Sequence, residues 1–254
     1  MINELLAHHS PRALILLVAA AFIASLARGF SGFGGALIFV PLASAAVGPQ
    51  AAAPILMVID GIAQLALLKN AWRQANRREV GIMAMGALVG IPLGAAILAY
   101  VDATTLRWAI VVLVVVMLAL LVSGWRYHGQ PSTATAVGVG LSAGILSGAV
   151  QAAGPPVVAY WLGGSPSVLT VRANIILFFF CTSVVACISY LATGLLGPGV
   201  LLLSALTVPG YALGMFLGTR MFGLASDAMF RRVCFVLIAA AAVISLPVLD
   251  SVLR

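Results

Sequence analysis

The sequence predicts an all-α membrane protein that crosses the bilayer several times, and three observations support this prediction. Hydrophobic residues make up 63% of the 254 residues and charged residues 7%, too few charges to cover a water-exposed surface. Polar turns divide the chain into apolar runs, several of which reach the roughly 20 residues that a spanning helix needs. Related glycine patterns occur in both halves of the chain. We therefore expect a single integral membrane domain built from two homologous repeats, over residues 1–128 and 129–254.

The first repeat is predicted to contain one interrupted apolar segment followed by three continuous spans. The two arms of the interrupted segment and the three spans are, in order, Ala13–Ala27, Ala36–Val47, Ala51–Leu68, Val80–Val101 and Leu106–Trp125. The interruption reads RGFSGFGG, from Arg28 to Gly35. It has four glycines in seven positions, and each glycine costs a helix interior roughly 1 kcal/mol relative to alanine. We expect the helix to break over this stretch.

The second repeat follows the same order. Its five segments are Ala134–Leu146, Val157–Leu162, Arg172–Thr193, Gly199–Phe222 and Val233–Val248. A second interruption, SGAVQAAGPP, runs from Ser147 to Pro156. Its prolines suit the first turn of a new helix, where the missing N–H is not needed. At an offset of 116 residues, Ser31-Gly32 in the first repeat matches Ser147-Gly148 in the second.

Two glycine ladders strengthen the relation between the repeats. Each ladder is a doubled GxxxG pattern, and the second lies 124 residues after the first; the residues are Gly86, Gly90, Gly94, Gly210, Gly214 and Gly218. Glycines spaced by four residues form one small face of a helix, which lets the backbone of a neighbouring helix approach closely. We interpret both ladders as helix-packing surfaces.

The charges of the loops predict that the two repeats are inverted. Lys69–Glu79 is the most basic loop and is expected in the cytoplasm, whereas its counterpart Gly194–Pro198 is uncharged. Asp102–Thr105 is not basic, but its counterpart Gly223–Arg232 is. Matching loops thus prefer opposite sides of the membrane, as in transporters with inverted repeats. Inversion requires each interrupted segment to be a re-entrant-like hairpin, which gives ten spans with the hairpin arms counted. Eight long spans in parallel repeats are the alternative.

The two interruptions have the properties of an anion-binding site. A helix that restarts after a break presents backbone N–H groups and the positive end of its dipole, and glycines let a ligand approach this backbone. Two such helix starts near the bilayer midplane would bind one small anion. The predicted substrate contacts are Arg28, Ser31, Gly32, Gly34, Gly35, Ser147, Gly148, Gln151, Gly154 and Asn174.

Three polar residues have alternative roles. Arg28 stands where the second repeat has Gly144. It offers a planar donor fork for an oxyanion, but it could also extend to the membrane surface or pair with Asp60. Asp60 is the one acid well inside an apolar run, and we interpret it as a proton- or sodium-coupling site or as a structural partner of Arg28 or Gln64. Asn174 either lines the binding cavity or hydrogen-bonds between helices.

The aromatic residues are predicted to have structural roles only. The tryptophans lie near the ends of apolar runs, where aromatic side chains anchor a protein at the membrane interface. They are Trp72, Trp108, Trp125 and Trp161. The run Phe178–Phe180 is expected to face lipid or the protein core.

The sequence carries no pattern that is typical of an enzyme, a cofactor site or a metal site. It has no HExxH, GxSxG or GxxxxGK[ST] motif, and no close pair of carboxylates lies within a span. The three cysteines lack CxxC spacing and are expected to be free thiols, so a thiol-handling membrane enzyme is the weakest alternative. The basic residues lie between apolar runs, where they favour anionic lipid and argue against nucleic acid. A passive anion channel that uses the same site is the main alternative to a carrier.

Together these motifs resemble the TauE/SafE family of sulfite and organosulfonate exporters. The similar segments are RGFSGFGGALIFVPL, GILSGAVQAAGPPVVAYWL, VRANIILFFF and the paired glycine ladders, and the resemblance covers roughly residues 13–248. It implies a secondary carrier of the bacterial inner membrane that exports a small, typically sulfur-containing anion by alternating access, without a cofactor. The implied partners are the anion, the lipid bilayer and a coupling ion, proton or sodium. Assembly into a homo-oligomer is left open.

Overall fold

The computed structural model describes residues 10–31, 34–124, 132–163, 167–221 and 227–249. These residues form ten α-helices and one short 3-10 helix, Pro247–Leu249, and contain no strand. The first five helices are α1 (Pro11–Ser31), α2 (Gly35–Val47), α3 (Pro49–Gln74), α4 (Arg77–Tyr100) and α5 (Ala103–Ser123). The other five are α6 (Thr133–Val150), α7 (Gly154–Gly163), α8 (Val168–Ala192), α9 (Pro198–Met221) and α10 (Asp227–Ile244).

Six of the described helices are long and apolar enough to cross a membrane, namely α1, α4, α5, α6, α8 and α9. α3 adds a seventh candidate span if its two arms, Pro49–Leu65 and Leu67–Gln74, which meet at a bend of 69°, are counted together. α2 and the segment Arg232–Ile244 of α10 are shorter apolar helices. The prediction of an all-helical, multi-pass membrane protein is therefore confirmed for the described part of the chain.

Both helix breaks are shorter than predicted. α1 and α6 continue through Gly29 and Gly148, which the sequence placed inside the breaks. The reason is helix packing. A Cβ on Gly29 would lie 2.6 Å from the carbonyl oxygen of Met215, and one on Gly148 would clash with a carbonyl of α4. The close backbone contacts offset the low helix propensity of these glycines. α1 ends at Ser31 and Gly34 is not helical, while at the second break the residues between the helices are 151–153.

The chain divides into two compact units, and each unit combines parts of both predicted repeats. Unit 1 consists of Met1–Ile59, Val101–Val122 and Gly197–Arg254, and unit 2 of Asp60–Tyr100 and Ser123–Leu196. In unit 1, α1 packs on α9 and α2, and α2 also packs on α10. In unit 2, α4 packs on α6 and α8. The interrupted segment of one repeat thus packs on the ladder helix of the other, while the division of the sequence into two repeats stays a prediction.

Both glycine ladders lie at helix–helix contacts. In unit 2, Cβ atoms on the three ladder glycines of α4 would collide with successive carbonyls of α6, those of Val137, Leu141 and Ile145. In unit 1, Cβ atoms on the last two ladder glycines of α9 would collide with the carbonyls of Phe22 and Leu26 in α1. In each pair the contacts advance in the same direction along both helices, so the two helices run parallel.

The helices α4, α6 and α8 all run in the same direction in unit 2. Near the start of α8, Oδ1 of Asn174 accepts the backbone N–H of Asn76, which directly precedes α4 (2.7 Å). Near the end of α8, the hydroxyl of Tyr190 donates to the carbonyl of Gly148 (2.7 Å). Because Gly148 packs on Ile91 in the later part of α4, the start and the end of α8 lie beside the start and the later part of α4.

Each interrupted segment folds back as a hairpin. In unit 2, α7 begins next to the end of α6, and its Trp161 ring contacts the ring of Phe178, three turns nearer the start of α8 than Tyr190 (centroids 6.0 Å apart). α7 therefore runs opposite to α6. In unit 1, a Cβ on Gly35, the first residue of α2, would lie 3.0 Å from the carbonyl oxygen of Ala24, well before the end of α1. α2 therefore folds back along α1.

Candidate functional site

The first break joins the end of α1 to the start of α2 in unit 1. Gly34 lies there with a φ of 87°, in the left-handed region that glycine adopts without strain. No side chain caps α2 at Gly34, and the N–H of Leu37 donates to the Gly34 carbonyl (3.1 Å). The earlier N–H groups of this first turn have no acceptor within the helix. The start of α2 therefore presents hydrogen-bond donors and the positive end of the helix dipole.

Arg28 lies beside this helix start. It belongs to the last turn of α1 and is half-buried, and its Cβ and Cδ lie 3.1 and 3.5 Å from the position that a Cβ on Gly35 would occupy. Because Gly35 has no Cβ, the arginine side chain packs directly against the first residue of α2. A guanidinium group and a helix N-terminus both favour an anion. Ser31 ends α1, but its side chain and Gly32 lie outside the described residues.

The second break, in unit 2, is held by hydrogen bonds to one tyrosine. Gln151 has a φ of 56°, the only left-handed conformation among the described non-glycine residues, and its N–H donates to the carbonyl of Ser147 (3.0 Å). The Tyr190 hydroxyl donates to the carbonyl of Gly148 (2.7 Å) and accepts from Nε2 of Gln151 (3.2 Å). Tyr190 is fully buried, so this network fixes the break from α8.

The start of α7 offers fewer donors than the start of α2. The first three residues of α7 are Gly154, Pro155 and Pro156, and a proline has no N–H group. Proline is favourable here because the N–H groups of a first turn have no partner within the helix. The same prolines remove two donors that an anion would otherwise meet. Ser147, Gly148, Gln151 and Gly154 thus lie at one break, where two residues of the following helix start have no N–H and one N–H of the Gln151 amide already bonds to Tyr190.

Asn174 is not brought to the second break. It lies sixteen residues before Tyr190 on α8, which corresponds to about 24 Å along the helix axis. Its Oδ1 accepts the N–H of Asn76, so the hydrogen bond between helix elements that was one of its two predicted roles is present.

Asp60 is buried on α3 and has one of its predicted structural partners. Its Oδ2 accepts a hydrogen bond from Nε2 of Gln64, one turn further along the helix (2.7 Å). Gln64 is also buried. The two residues form a carboxylate–amide pair inside an apolar helix, and a role in ion coupling stays a prediction.

Two aromatic residues of unit 2 differ from expectation. Tyr190 was not singled out, although a hydroxyl inside an apolar run signals a buried hydrogen bond. Trp161 was expected at the membrane interface, and this expectation is wrong. Its side chain is 2% exposed and packs edge-on against Phe178, whereas Trp72 is 54% exposed. Phe178 itself lies in the core.

The long apolar helices of the described residues are those of a multi-pass membrane protein. The family model of the sulfite exporter TauE/SafE matches residues 17–244. The chain therefore belongs to the TauE/SafE family. In the same comparisons, no curated protein and no solved structure matches the chain. Membership implies a membrane transporter of sulfite- or organosulfonate-type anions rather than an enzyme.

Proposed function

We propose that the protein is a secondary transporter that exports sulfite, an organosulfonate or a related oxyanion across the bacterial inner membrane. The observation that carries this proposal is the contact between Arg28 and Gly35, because it brings a cationic side chain to the start of α2. Both groups favour negative charge, and a guanidinium group can bind two oxygen atoms of one sulfonate or sulfite. Family membership supports the same substrate class.

The first break is proposed as the main substrate contact. Arg28 would bind the anion together with the backbone N–H groups of Gly34 and Gly35. Ser31 and Gly32 are the other contacts proposed from the sequence, and the Ser31 side chain and Gly32 lie outside the described residues. A hydrogen bond to a charged group is worth about 1.5–3 kcal/mol, so Arg28 is expected to dominate the affinity.

The second break is proposed as a further contact for the transported anion within unit 2, with transport by alternating access. Its contributors are Ser147, Gly148, Gln151 and Gly154. The amide of Gln151 has two N–H groups, and Tyr190 takes one, so only the other can meet a substrate. The second break is therefore proposed to donate fewer hydrogen bonds to the anion than the first. Asn174 is proposed to contact the anion at another position on α8.

Inverted repeats are proposed as the architecture that supports alternating access. Two observations support them: the fold-back of both hairpins and the direction of α8 parallel to α4. Two residues lie between α3 and α4, and helices joined by so short a connection are expected to run antiparallel. α3 and α8 correspond in the two sequence repeats, so opposite directions of these two helices would be expected of an inverted pair.

The topology and the location can be tested together by cysteine labelling. The three native cysteines are first replaced by serine, and single cysteines are placed at Asn76 or Gly197. In intact bacterial cells, a membrane-impermeant maleimide should label the Gly197→Cys variant and reach the Asn76→Cys variant only after the inner membrane is opened. Labelling of both positions from the same side would contradict inverted repeats.

Asp60 is proposed as the coupling residue for a proton or sodium ion. Its burial in an apolar helix, next to Gln64, supports this role because intramembrane carboxylates usually serve ion pathways. Asp60→Asn keeps a hydrogen-bonding partner for Gln64 and removes the charge. Sulfite flux in this variant should no longer respond to an imposed proton or sodium gradient, while passive exchange of sulfite persists. A gradient response equal to that of the parent would contradict the role.

Substrate binding at the first break is tested by transport into proteoliposomes. Arg28→Gln removes the guanidinium charge, and Arg220→Gln is the matched control because Arg220 is exposed in the same unit and stacks on Phe216 (4.3 Å to the ring centroid). We expect saturable sulfite flux in the parent and the control, and at least tenfold lower flux in Arg28→Gln at subsaturating sulfite. Equal flux in all three proteins would reject the site.

A further inference from the structure

Two buried N–H donors of unit 2 have no hydrogen-bond partner among the described residues. They are the indole N–H of Trp161, whose side chain is 2% exposed, and Nδ2 of Asn174, whose side chain is 0% exposed. Buried donors are almost always paired, because an unpaired donor loses its bonds to water without replacement. Two such donors in one unit indicate that an acceptor binds there at some stage.

The two donors lie along one seam between α7 and α8. Asn174 precedes Phe178 by one helical turn on the same face of α8, so their Cβ atoms are about 6 Å apart. The ring of Phe178 in turn contacts the ring of Trp161 edge-to-face (centroids 6.0 Å, 82°). Trp161 and Asn174 therefore border the same short stretch of the seam.

The orientation of the Asn174 amide is determined by its other hydrogen bond. Oδ1 accepts the backbone N–H of Asn76, and because that N–H can only donate, oxygen and nitrogen of the amide cannot be exchanged. Nδ2 is therefore a donor, and the indole of Trp161 is a donor only. Both unpaired groups at this stretch of the seam are donors, which suits a deprotonated oxyanion because such an anion only accepts hydrogen bonds.

We propose that Trp161 and Asn174 form a second subsite for the transported oxyanion. The subsite lies near the start of α8, beside the turn between α3 and α4 that contains Asn76. The second break lies near the other end of α8. The subsite is separated from Tyr190 by 12 to 16 residues of α8, or about 18–24 Å along the axis. Because neither side chain carries a charge, the anion binds more weakly than at Arg28 and can leave, as a transit site requires. The inference rests on the proposed transport function.

The direct test uses Trp161 as its own reporter. Trp72, Trp108 and Trp125 are replaced by phenylalanine, which leaves Trp161 as the one tryptophan, and the emission of this protein is recorded during titration with sulfite. We expect a saturable change in emission, with a midpoint at a higher sulfite concentration than the Arg28-dependent binding. Asn174→Asp should abolish the change, because it keeps an acceptor for Asn76 and replaces the donor by a carboxylate that repels the anion.

A transport measurement complements the fluorescence. Trp161→Phe removes the N–H but keeps a ring against Phe178, and Trp108→Phe is the control because Trp108 is 42% exposed. Loss of one hydrogen bond should slow sulfite transport by about two- to tenfold in Trp161→Phe, with sulfite affinity at the first break unchanged.

The outcomes separate the subsite from the proposed function. Silent Trp161 emission together with intact Arg28-dependent binding would overturn the subsite alone. If Trp161 emission responds to sulfite but Arg28→Gln leaves the sulfite affinity unchanged, the subsite is supported and the first-break site is rejected. If neither binding nor emission responds to sulfite, both proposals fail. Water alone at the two donors predicts no sulfite-dependent emission, which likewise overturns the subsite.

Discussion

The two breaks differ in the residues that form them. At the first break, Gly34 has a left-handed backbone and Arg28 packs on the start of α2. At the second break, Gln151 has the left-handed backbone, and its side chain bonds to Tyr190 of α8. Both breaks interrupt a helix that packs on a glycine ladder of the other repeat. The first break ends in a helix start that has glycine at its first position, whereas the second ends in a helix start with two prolines.

This difference separates backbone shape from binding chemistry. A hairpin break needs a left-handed residue and a close-packed partner helix, and both breaks have them. Anion binding needs donors and positive charge, and only the first break has a cationic residue, Arg28, beside its helix start. At the second break the hydroxyl of Tyr190 and the Gln151 amide bond to each other and to the end of α6, so most of the polar groups stabilise the turn itself.

Substitutions that disrupt the helix packing at the two breaks are expected to cause the largest loss of stability. Gly148→Ala and Gly29→Ala place a methyl group against a backbone carbonyl of the partner helix, and should destabilise the protein by about 3 kcal/mol each. Gly138→Ala is the control, because a Cβ there meets nothing within 4 Å and alanine favours the helix. The midpoint temperature of thermal unfolding in detergent is measured for the three variants and the parent. A Gly148→Ala midpoint at or above the parent's would show that close packing does not hold the break.

Substitution of the two left-handed residues should change the stability of the protein by different amounts. Gly34→Ala has room for its methyl group, so its cost is the left-handed backbone alone, about 1–2 kcal/mol. Gln151→Gly relieves a similar strain but loses the bond to Tyr190, worth about 1 kcal/mol, so the net change should be close to zero. The unfolding midpoints of both variants test this difference, and equal losses at the two positions would contradict it.

The smallest expected effect concerns the prolines. Pro155→Ala adds an N–H donor to the first turn of α7 and makes the second break resemble the first. If a substrate reaches this helix start, sulfite should bind about two- to fivefold more tightly, as one added hydrogen bond allows. Weaker binding at unchanged thermal stability would show that proline shapes the site directly.

The helices and the breaks could be predicted because their signals are local. Apolar runs indicate spans, and clustered glycines indicate interruption. The edges of the breaks were misplaced because Gly29 and Gly148 are used for packing, and this use depends on partner helices far away in sequence. A glycine within a helix cannot be told from a glycine that ends one until its neighbour is known.

The interior of the candidate site was less predictable. The bond between Tyr190 and Gln151 joins residues 39 positions apart, and no pattern in the sequence marks such a pair. Asn174 was placed at the substrate because it is polar inside an apolar run, but its distance along α8 from Tyr190 follows only from the helix geometry. Arg28 was predicted as a substrate contact because the other repeat has Gly144 in its place, and this role stays a prediction.

The most direct test compares the sulfite affinity of Arg28→Gln with that of Gln151→Ala by calorimetric titration. Loss of the guanidinium should raise the Kd roughly 10- to 150-fold, because it removes charge-assisted hydrogen bonds worth about 1.5–3 kcal/mol. Loss of the Gln151 amide should raise it only about threefold, since half of its donors already bind Tyr190. Equal increases, or a larger increase for Gln151→Ala, would contradict the first break as the principal anion site.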